Sequence, residues 1–586
     1  MEAGLDRRLW LILAFVLLMR APFFHGAVQG DDHIYLSAAE HALIEPLHPN
    51  NTPYVFRGEV VDLRGHPHGP MVAWVLAGLI AVFGEVREVP FHAAFTVFSL
   101  IAAAGMWSLA KRFSPQPLWA TLLFLAVPAF VVNGNSFETD VPFLAFWMAA
   151  VALFAAERPL LSGVAMVLAT LTAPQALLLC PILGVYLWLK PGKRWYWLVL
   201  LVPPATFAAY QLFERVTTGA VPATVLSGYL TIYETLQAKL GSALMLFIHS
   251  WFIVFPALLP PALVLAWRRR KEPETRFLLA WIAIFFCAAA AVAFAGSARY
   301  LLPMAAPIAL LASRLQRRWV AIGFALQMTL SLGLAAENYQ HWDGYRECAA
   351  SLHRVSAGHR VWVDNDWGLR FYIERDGGLP LTRKQPLRAG DIVVVSELGH
   401  NVDLTAPVTP IVPTFTIRPS IPLRLIGLET GSGYSTVSRG FWPFGISAGV
   451  VDRVSALQIG ERHPTLEYLT MDAPNLGDHI VSGVWPDHWM GRSAVLVLRN
   501  PASPERLSAS VYFSDKARAR TVKLLLDGRE VASKTFDGPG AHTVEAGPQR
   551  GSGSTATVEI DVDRTFTDPP DARELGAVLM GAGFKQ

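Results

Sequence analysis

Between residues 9 and 336 this chain alternates apolar runs with short polar gaps, and that alternation excludes most soluble folds. A helix that crosses a bilayer needs about 20 mostly apolar residues, fewer when neighbours shelter it. The sequence predicts spans near 9–26, 91–110, 118–134, 141–156, 160–173, 175–189, 195–213, 242–266, 276–296, 300–313 and 319–336, about eleven by that length rule. The whole chain is 53% hydrophobic and 16% charged, against about 45–50% and about 25% in ordinary soluble domains. The excess belongs to the first region, and residues after 340 have an ordinary soluble composition. The expected fold class is therefore a mainly α polytopic membrane bundle followed by a soluble α/β unit and a β-sandwich. The expected divisions are 1–340, 341–404 and 405–586.

Basic residues set the orientation. Arg7-Arg8, Lys111-Arg112, Arg158, Lys190 with Lys193-Arg194, the run Arg268 to Lys271, and Arg314 with Arg317-Arg318 all fall on one side of those spans. By the positive-inside rule that side is the cytoplasm. Residues 69–84 are apolar but too few to span comfortably, and counting them would break the charge pattern, so they are expected to form a re-entrant or interface-lying helix. The first apolar run has no small-residue cleavage site after it and is read as a retained helix. The N-terminus is then cytoplasmic. The loop 27–90, the turn 134–141, the turn at Thr172-Ala173-Pro174, the loop 214–241, Arg299-Tyr300 and everything beyond 336 are extracytoplasmic. A net charge of +3 implies no nucleic-acid partner. The three cysteines, two of them in apolar runs, imply no disulfide framework.

Several polar residues converge on that outer face. Asp31 and Asp32 follow the first span, and adjacent carboxylates beside a bilayer must be hydrated, paired or used. They suit a general base, although Asp is also common at a solvated helix start. RGHPHGPMVAW places His66, His68 and Pro70 before the short apolar helix, with His68 a candidate for orienting a phosphate or an acceptor. NSFETDVPFLAFW carries Glu138 and Asp140 at the outer start of a span, as partners for a cation or an acceptor hydroxyl, or simply as first-turn acids. Arg299 and Tyr300 stand at the outer end of a late span, against the charge bias. Arginine snorkels at interfaces, but it is also the best bidentate phosphate ligand. No phosphate-binding loop or H-E-x-x-H zinc pattern is present. Gly551 to Ala556 matches a dinucleotide fingerprint only by letters, since an alternating strand follows it. Asn50-Asn51-Thr52 is a lone sequon.

Taken in order, these motifs resemble the GT-C superfamily of membrane glycosyltransferases. More narrowly they are similar to glycosyltransferase family 39, which includes protein O-mannosyltransferases and lipid A aminoarabinose transferases. The matching features are Asp31-Asp32 after the first helix, His68-Gly69-Pro70-Met71 before a short apolar helix, Asp140-Val141-Pro142 opening a span, and Arg299-Tyr300 leading to Pro303. They cover roughly residues 1–340. The chain departs from the family in having Asp32 where a Glu is usual, His-Gly-Pro before the short helix, and Gln175 in place of a lysine near the Thr-Ala-Pro turn.

The resemblance implies an inverting transfer from a polyprenyl-phosphate sugar to an acceptor hydroxyl on a glycan, lipid or protein, at a bacterial inner membrane. It implies Asp31 as base, with Asp32 beside it, Asp140 as acceptor or cation partner, Arg299 with His68 at the phosphate, and Glu138 and Tyr300 lining the substrate site. A divalent cation remains open, and no metal ligands are assigned. The alternative is a transporter or flippase for a glycan or lipid. That alternative predicts matched, broken half-repeats and mid-membrane ionisable groups.

Beyond 340, a helix near 344–356, a strand at VWVDND, a helix through Leu369–Tyr372 and a strand at DIVVVSE suggest a small α/β unit. After 405, short alternating runs between Gly, Pro and Asp turns suggest the sandwich. GFWPFG and WPDHWMG add aromatics that serve either glycan binding or a core.

Overall fold

The computed structural model describes residues 6–230, 236–292, 297–383, 385–404, 406–434, 439–516, 519–568 and 571–585. The end of the span expected at 276–296 and part of the loop 214–241 lie outside the described residues. The first region is helical. Among the described residues, four helices are long and apolar enough to cross a membrane: Glu88–Phe113, Tyr196–Thr218, Pro273–Val292 and Arg317–Leu352. A fifth is counted if Pro117–Leu125 and Pro128–Asn135, bent by 64°, form one broken span.

The other expected spans are shorter helices, and proline is the local reason. Pro117, Pro128, Pro159, Pro174, Pro256 and Pro303 each sit at a helix start, where the missing N–H is not needed. The span expected at 242–266 is accordingly two helices, Leu236–Ser250 and Leu259–Arg268, with the chain turning between them. The segment expected at 69–84 is the helix Met71–Phe83.

A broken helix at membrane depth needs its freed carbonyls satisfied. Ser331 Oγ does this at the 125–128 break, donating to Ala126 O at 2.7 Å, and Arg20, fully buried, satisfies carbonyls at the end of the second helix. Its Nη1 and Nη2 donate to Val131 O at 2.7 Å and Phe130 O at 2.6 Å, and its Nε reaches Ser99 Oγ at 3.2 Å. Gly134 leaves the space that the guanidinium fills.

Two boundaries differ from expectation. The span at 319–336 and the separate helix near 344–356 are one helix, Arg317–Leu352, of 36 residues, about 54 Å long at 1.5 Å per residue. No proline interrupts 317–352, so the helix continues from the membrane region into the soluble part. The boundary at 404 also falls inside a sheet. Parallel strands Val361–Asp364, Leu379–Pro380 and Ile392–Ser396 are extended by antiparallel Asp452–Ile459, which also pairs with Val408–Pro410 and Phe415–Ile417. The unit therefore runs to 459. An apolar run long enough for a strand carries no mark of which sheet it joins.

Among the described residues of 466–585, nine strands form an antiparallel network, in which the pairs Trp489–Val578 and Met490–Ala577 link one group of strands to the other, and Phe566–Asp568 pairs separately with Asp571–Leu575. Alternate residues such as Val522, Leu524 and Leu526 face its core. The expected sandwich is thus a single hydrogen-bonded network. The core of residues 466–585 is separate from the large core of the helical region, whereas Val363, Leu369, Val394, Ile417 and Val454 of the middle unit belong to that large core.

Candidate active site

The residues of interest meet where the first outer loop, the 133–140 turn and the 297–301 turn come together. Gly30 adopts φ +45°, and Asp31 N then donates to Glu138 Oε1 at 3.2 Å. A Cβ on Gly30 would meet that carboxylate at 2.7 Å, so glycine's positive-φ freedom is needed here. Asp31 holds the N-cap position of the helix Asp32–Ala42, yet its side chain caps nothing. It accepts instead from Arg299 Nη2 at 3.0 Å. Arg299 Nη1 makes a close ion pair with Glu138 and lies 3.7 Å from Asp140 Oδ2. The Arg299 guanidinium also stands 5.5 Å from the centre of the Tyr300 ring. Three carboxylates thus share one buried guanidinium. The Asp31 side chain stays 29% exposed, against 7% for Glu138 and 10% for Asp140, which makes it the most accessible of the three.

Asp32 behaves differently from its neighbour. It is fully buried and accepts from Ser136 Oγ at 2.7 Å, Phe137 N at 2.7 Å and Gln29 N at 3.0 Å. Burial raises its carboxyl above the usual carboxylate range, against the pull of those donors. Its geometry staples the 27–32 segment to the 133–140 turn. The side chains of the acidic pair therefore point into different environments.

His68 lies one layer out. Its ring is 5.8 Å from Tyr35 and 4.9 Å from His66, and Tyr35 Oη contacts Thr139 Oγ1 at 3.2 Å. Burial holds His68 well below, and His66 down to about 4 from, the ordinary histidine value. Both rings are neutral near pH 7, so His68 offers a hydrogen bond rather than a charge. Gly69 N donates to Thr172 O at 3.0 Å, and a Cβ on Gly69 would run into the Leu171 carbonyl. That contact accounts physically for His-Gly-Pro at this place.

The predicted residues Asp31, Glu138, Asp140, Arg299 and Tyr300 are brought together, with His68 adjacent through Tyr35 and Asp32 set behind them. Others carried no sequence signal. Asp140 Oδ2 accepts from Asn133 Nδ2 at 3.1 Å, and Asn133 Oδ1 accepts from Tyr434 Oη at 2.6 Å. Tyr434, in the part beyond the membrane helices, thus reaches Asn133 across 301 positions and, through it, the Asp140 carboxylate. The helix Gly368–Arg375 braces the same loop: Tyr372 Oη accepts from Val28 N at 2.8 Å, and Glu374 Oε2 meets His33 Nε2 at 2.6 Å. Among the described residues no group of three or more His, Cys, Asp and Glu side chains is arranged to hold a metal ion.

Residues 66–213 match the family model described as dolichyl-phosphate-mannose-protein mannosyltransferase. No curated protein sequence matches the chain. Among solved structures, ArnT from Cupriavidus metallidurans, bound to undecaprenyl phosphate, is similar at 14% identity and a TM-score of 0.45, covering 67% of this chain and 94% of that one. The arabinofuranosyltransferase AftD from Mycobacteria is similar at 11% identity and a TM-score of 0.42. It is covered over 58% of its length, with 99% of this chain aligned.

Proposed function

We propose that this chain is a membrane glycosyltransferase of the GT-C superfamily and that it moves a sugar from a polyprenyl-phosphate donor to an acceptor hydroxyl on the extracytoplasmic face, with inversion. The observation that carries the reading is the 3.0 Å contact between Arg299 and the accessible carboxylate Asp31, in a site shared with Glu138 and Asp140. The acceptor oxygen attacks the anomeric carbon as the bond from that carbon to the lipid phosphate breaks. The hydroxyl proton passes to Asp31, and the lipid phosphate leaves with the bonding electrons. Arg299 faces the charge that grows on the phosphate, where a preorganised cation lowers the barrier most. That guanidinium is ion-paired with the surrounding carboxylates. An arriving phosphate competes for it and releases Asp31 from its ion pair to act as base. Glu138 and Asp140 hold the guanidinium from behind, and Asp140 with Asn133 borders the acceptor side. His68 donates a neutral hydrogen bond to the phosphate, and Tyr300 supports the arginine.

The same reading keeps about eleven membrane crossings, several made by short helices sheltered in the bundle, with the N-terminus cytoplasmic. It divides the chain into a membrane catalytic region to about 340, a middle unit, and a terminal sheet module. The test is transfer of labelled sugar from a polyprenyl-phosphate donor in nanodiscs. Labelled product together with free lipid phosphate supports the proposal. Movement of intact donor between leaflets without product supports a flippase instead.

A further inference from the structure

The middle unit carries a segment, containing the aromatic motif GFWPFG, to which the proposed transfer reaction assigns no role beyond that of Tyr434. It leaves the sheet at Ile417 and rejoins it at Asp452. The helix Arg317–Leu352 serves as a ruler for its depth. That helix qualifies as a membrane span, with its apolar stretch at 319–336, and a hydrocarbon layer of about 30 Å takes about 20 helical residues.

Contacts of the segment step down this ruler. Ile417 packs where a Cβ on Gly344 would lie, at 3.0 Å. Ser420 N and Oγ donate to Gln340 Oε1 at 2.7 and 3.0 Å. Leu423 packs at 3.0 Å from the Cβ position of Gly333. The Phe444 ring then lies 5.4 Å from that of Phe252, whose carbonyl accepts from Gln327 Nε2 at 2.8 Å. On the return, Val451 N donates to Ile417 O at 3.0 Å, and Asp452 accepts from Tyr345 Oη at 2.7 Å. From the level of Gly344 to that of Gly333 is a descent of about 16 Å at 1.5 Å per residue. Gly333 and Gln327 both lie within the apolar stretch 319–336.

Two further observations fit that depth. Irregular backbone inside a bilayer must have its polar groups satisfied by protein. Arg424, 1% exposed, donates to the carbonyls of Pro419, Ile421, Leu423 and Gly449 at 2.6–3.0 Å. At the tip, Phe441, Trp442 and Ile446 are 41%, 57% and 84% exposed. His249 Nε2, on the helix Leu236–Ser250, meets the Phe441 carbonyl at 3.1 Å.

We propose that residues 421–434 and 439–449 form a re-entrant lip entering the lipid leaflet on the side of the soluble part, with Phe441, Trp442 and Ile446 against acyl chains. Tryptophan and phenylalanine suit that interface. The flank carrying Tyr434 reaches Asn133 and so Asp140. If the proposed transfer reaction holds, the lip borders the route from the leaflet to the carboxylates.

The test uses the full chain in nanodiscs, with single cysteines at positions 442, 446 and, as an aqueous control, 533, in a background lacking Cys180, Cys287 and Cys348. Each carries an environment-sensitive fluorophore. Acyl-chain spin-labelled lipids should quench 442 and 446, and iodide should quench only 533. Iodide quenching of 442 and 446 without lipid quenching overturns the proposal. Shielding from both quenchers also overturns it, since a protein partner or a second copy then covers the tip. The unsubstituted chain gives an independent reading: a diazirine-tagged phospholipid should crosslink within 439–449, and the absence of lipid adducts there contradicts the lip. Neither readout depends on sugar transfer. If transfer is also observed, F441S/W442S/I446S should raise KM for the lipid donor several-fold with little change in kcat. An unchanged KM removes the route while leaving insertion to the quenching result.

Discussion

The two folded regions beyond the membrane helices relate to the rest of the molecule in opposite ways. The middle unit shares a core with the membrane helices. Ile392 and Val394 face that core, whereas Val393 between them faces a smaller one on the other side of the sheet. It also supplies Tyr434, Tyr372 and Glu374 to the loops that carry Asp31 and Asp140. The terminal sheet, 466–585, closes its own core with Val522, Leu524, Val558 and Ile560. Continuity along the chain therefore says little about which region packs against the carboxylate cluster. The middle unit shares one core with the helices that carry that cluster, and the terminal sheet closes a core of its own.

The largest expected effect comes from cutting the chain at two places. Ending it after residue 465 should leave transfer within a few-fold of the full chain, while ending it after 352 should abolish transfer. Equal loss from both cuts would break the contrast. Leu524→Ala comes next. It removes a fully buried side chain from the terminal core and should cost that sheet about 2–5 kcal/mol, read by thermal unfolding of the isolated 466–586 fragment, with transfer by the full chain unchanged. Tyr434→Phe deletes the hydroxyl that donates to Asn133. It should lower turnover several-fold, in line with about 1 kcal/mol for one hydrogen bond, and leave the terminal sheet's melting untouched.

The smallest effect is a pH dependence that arises in the middle unit. His400 Nδ1 lies 2.7 Å from Asp364, and that partner raises the imidazole to about 9. A histidine raised above its unfolded value of about 6.5 stabilises the fold fully below that value. The contribution is then lost as pH rises towards 9. The unfolding temperature of the body that the middle unit shares with the helices should fall across that window, and His400→Ala should flatten the slope. A slope unchanged in the variant would assign it elsewhere.

Much of the site was legible because its residues carry chemistry that is costly near a bilayer. Asp31, Glu138, Asp140 and Arg299 stood out as charges on one face, and the fold brings them within one ion-pair network. The difference between Asp31 and Asp32 was not legible. It depends on donors from Ser136 and Phe137, more than a hundred residues away. Tyr434 and Arg20 were missed for the same reason, since each acts on backbone or side chains distant in sequence and neither sits in a periodic pattern. The continuity of Arg317–Leu352 was obscured by polar residues after 336, which are compatible with helix but end the hydropathy signal. The boundary at 404 failed because strand pairing over about fifty residues leaves no local trace.

The most direct measurement of the central claim compares Asp31→Asn with Asp32→Asn in the nanodisc transfer assay, alongside binding of the polyprenyl-phosphate donor. Loss of the base in Asp31→Asn should reduce turnover by at least about 10²-fold while donor binding persists. Asp32→Asn should act mainly by loosening the staple to Ser136 and Phe137, lowering thermal stability. Equal and mild losses of transfer in both variants, with folding intact, would contradict the account and leave the acidic pair as structure.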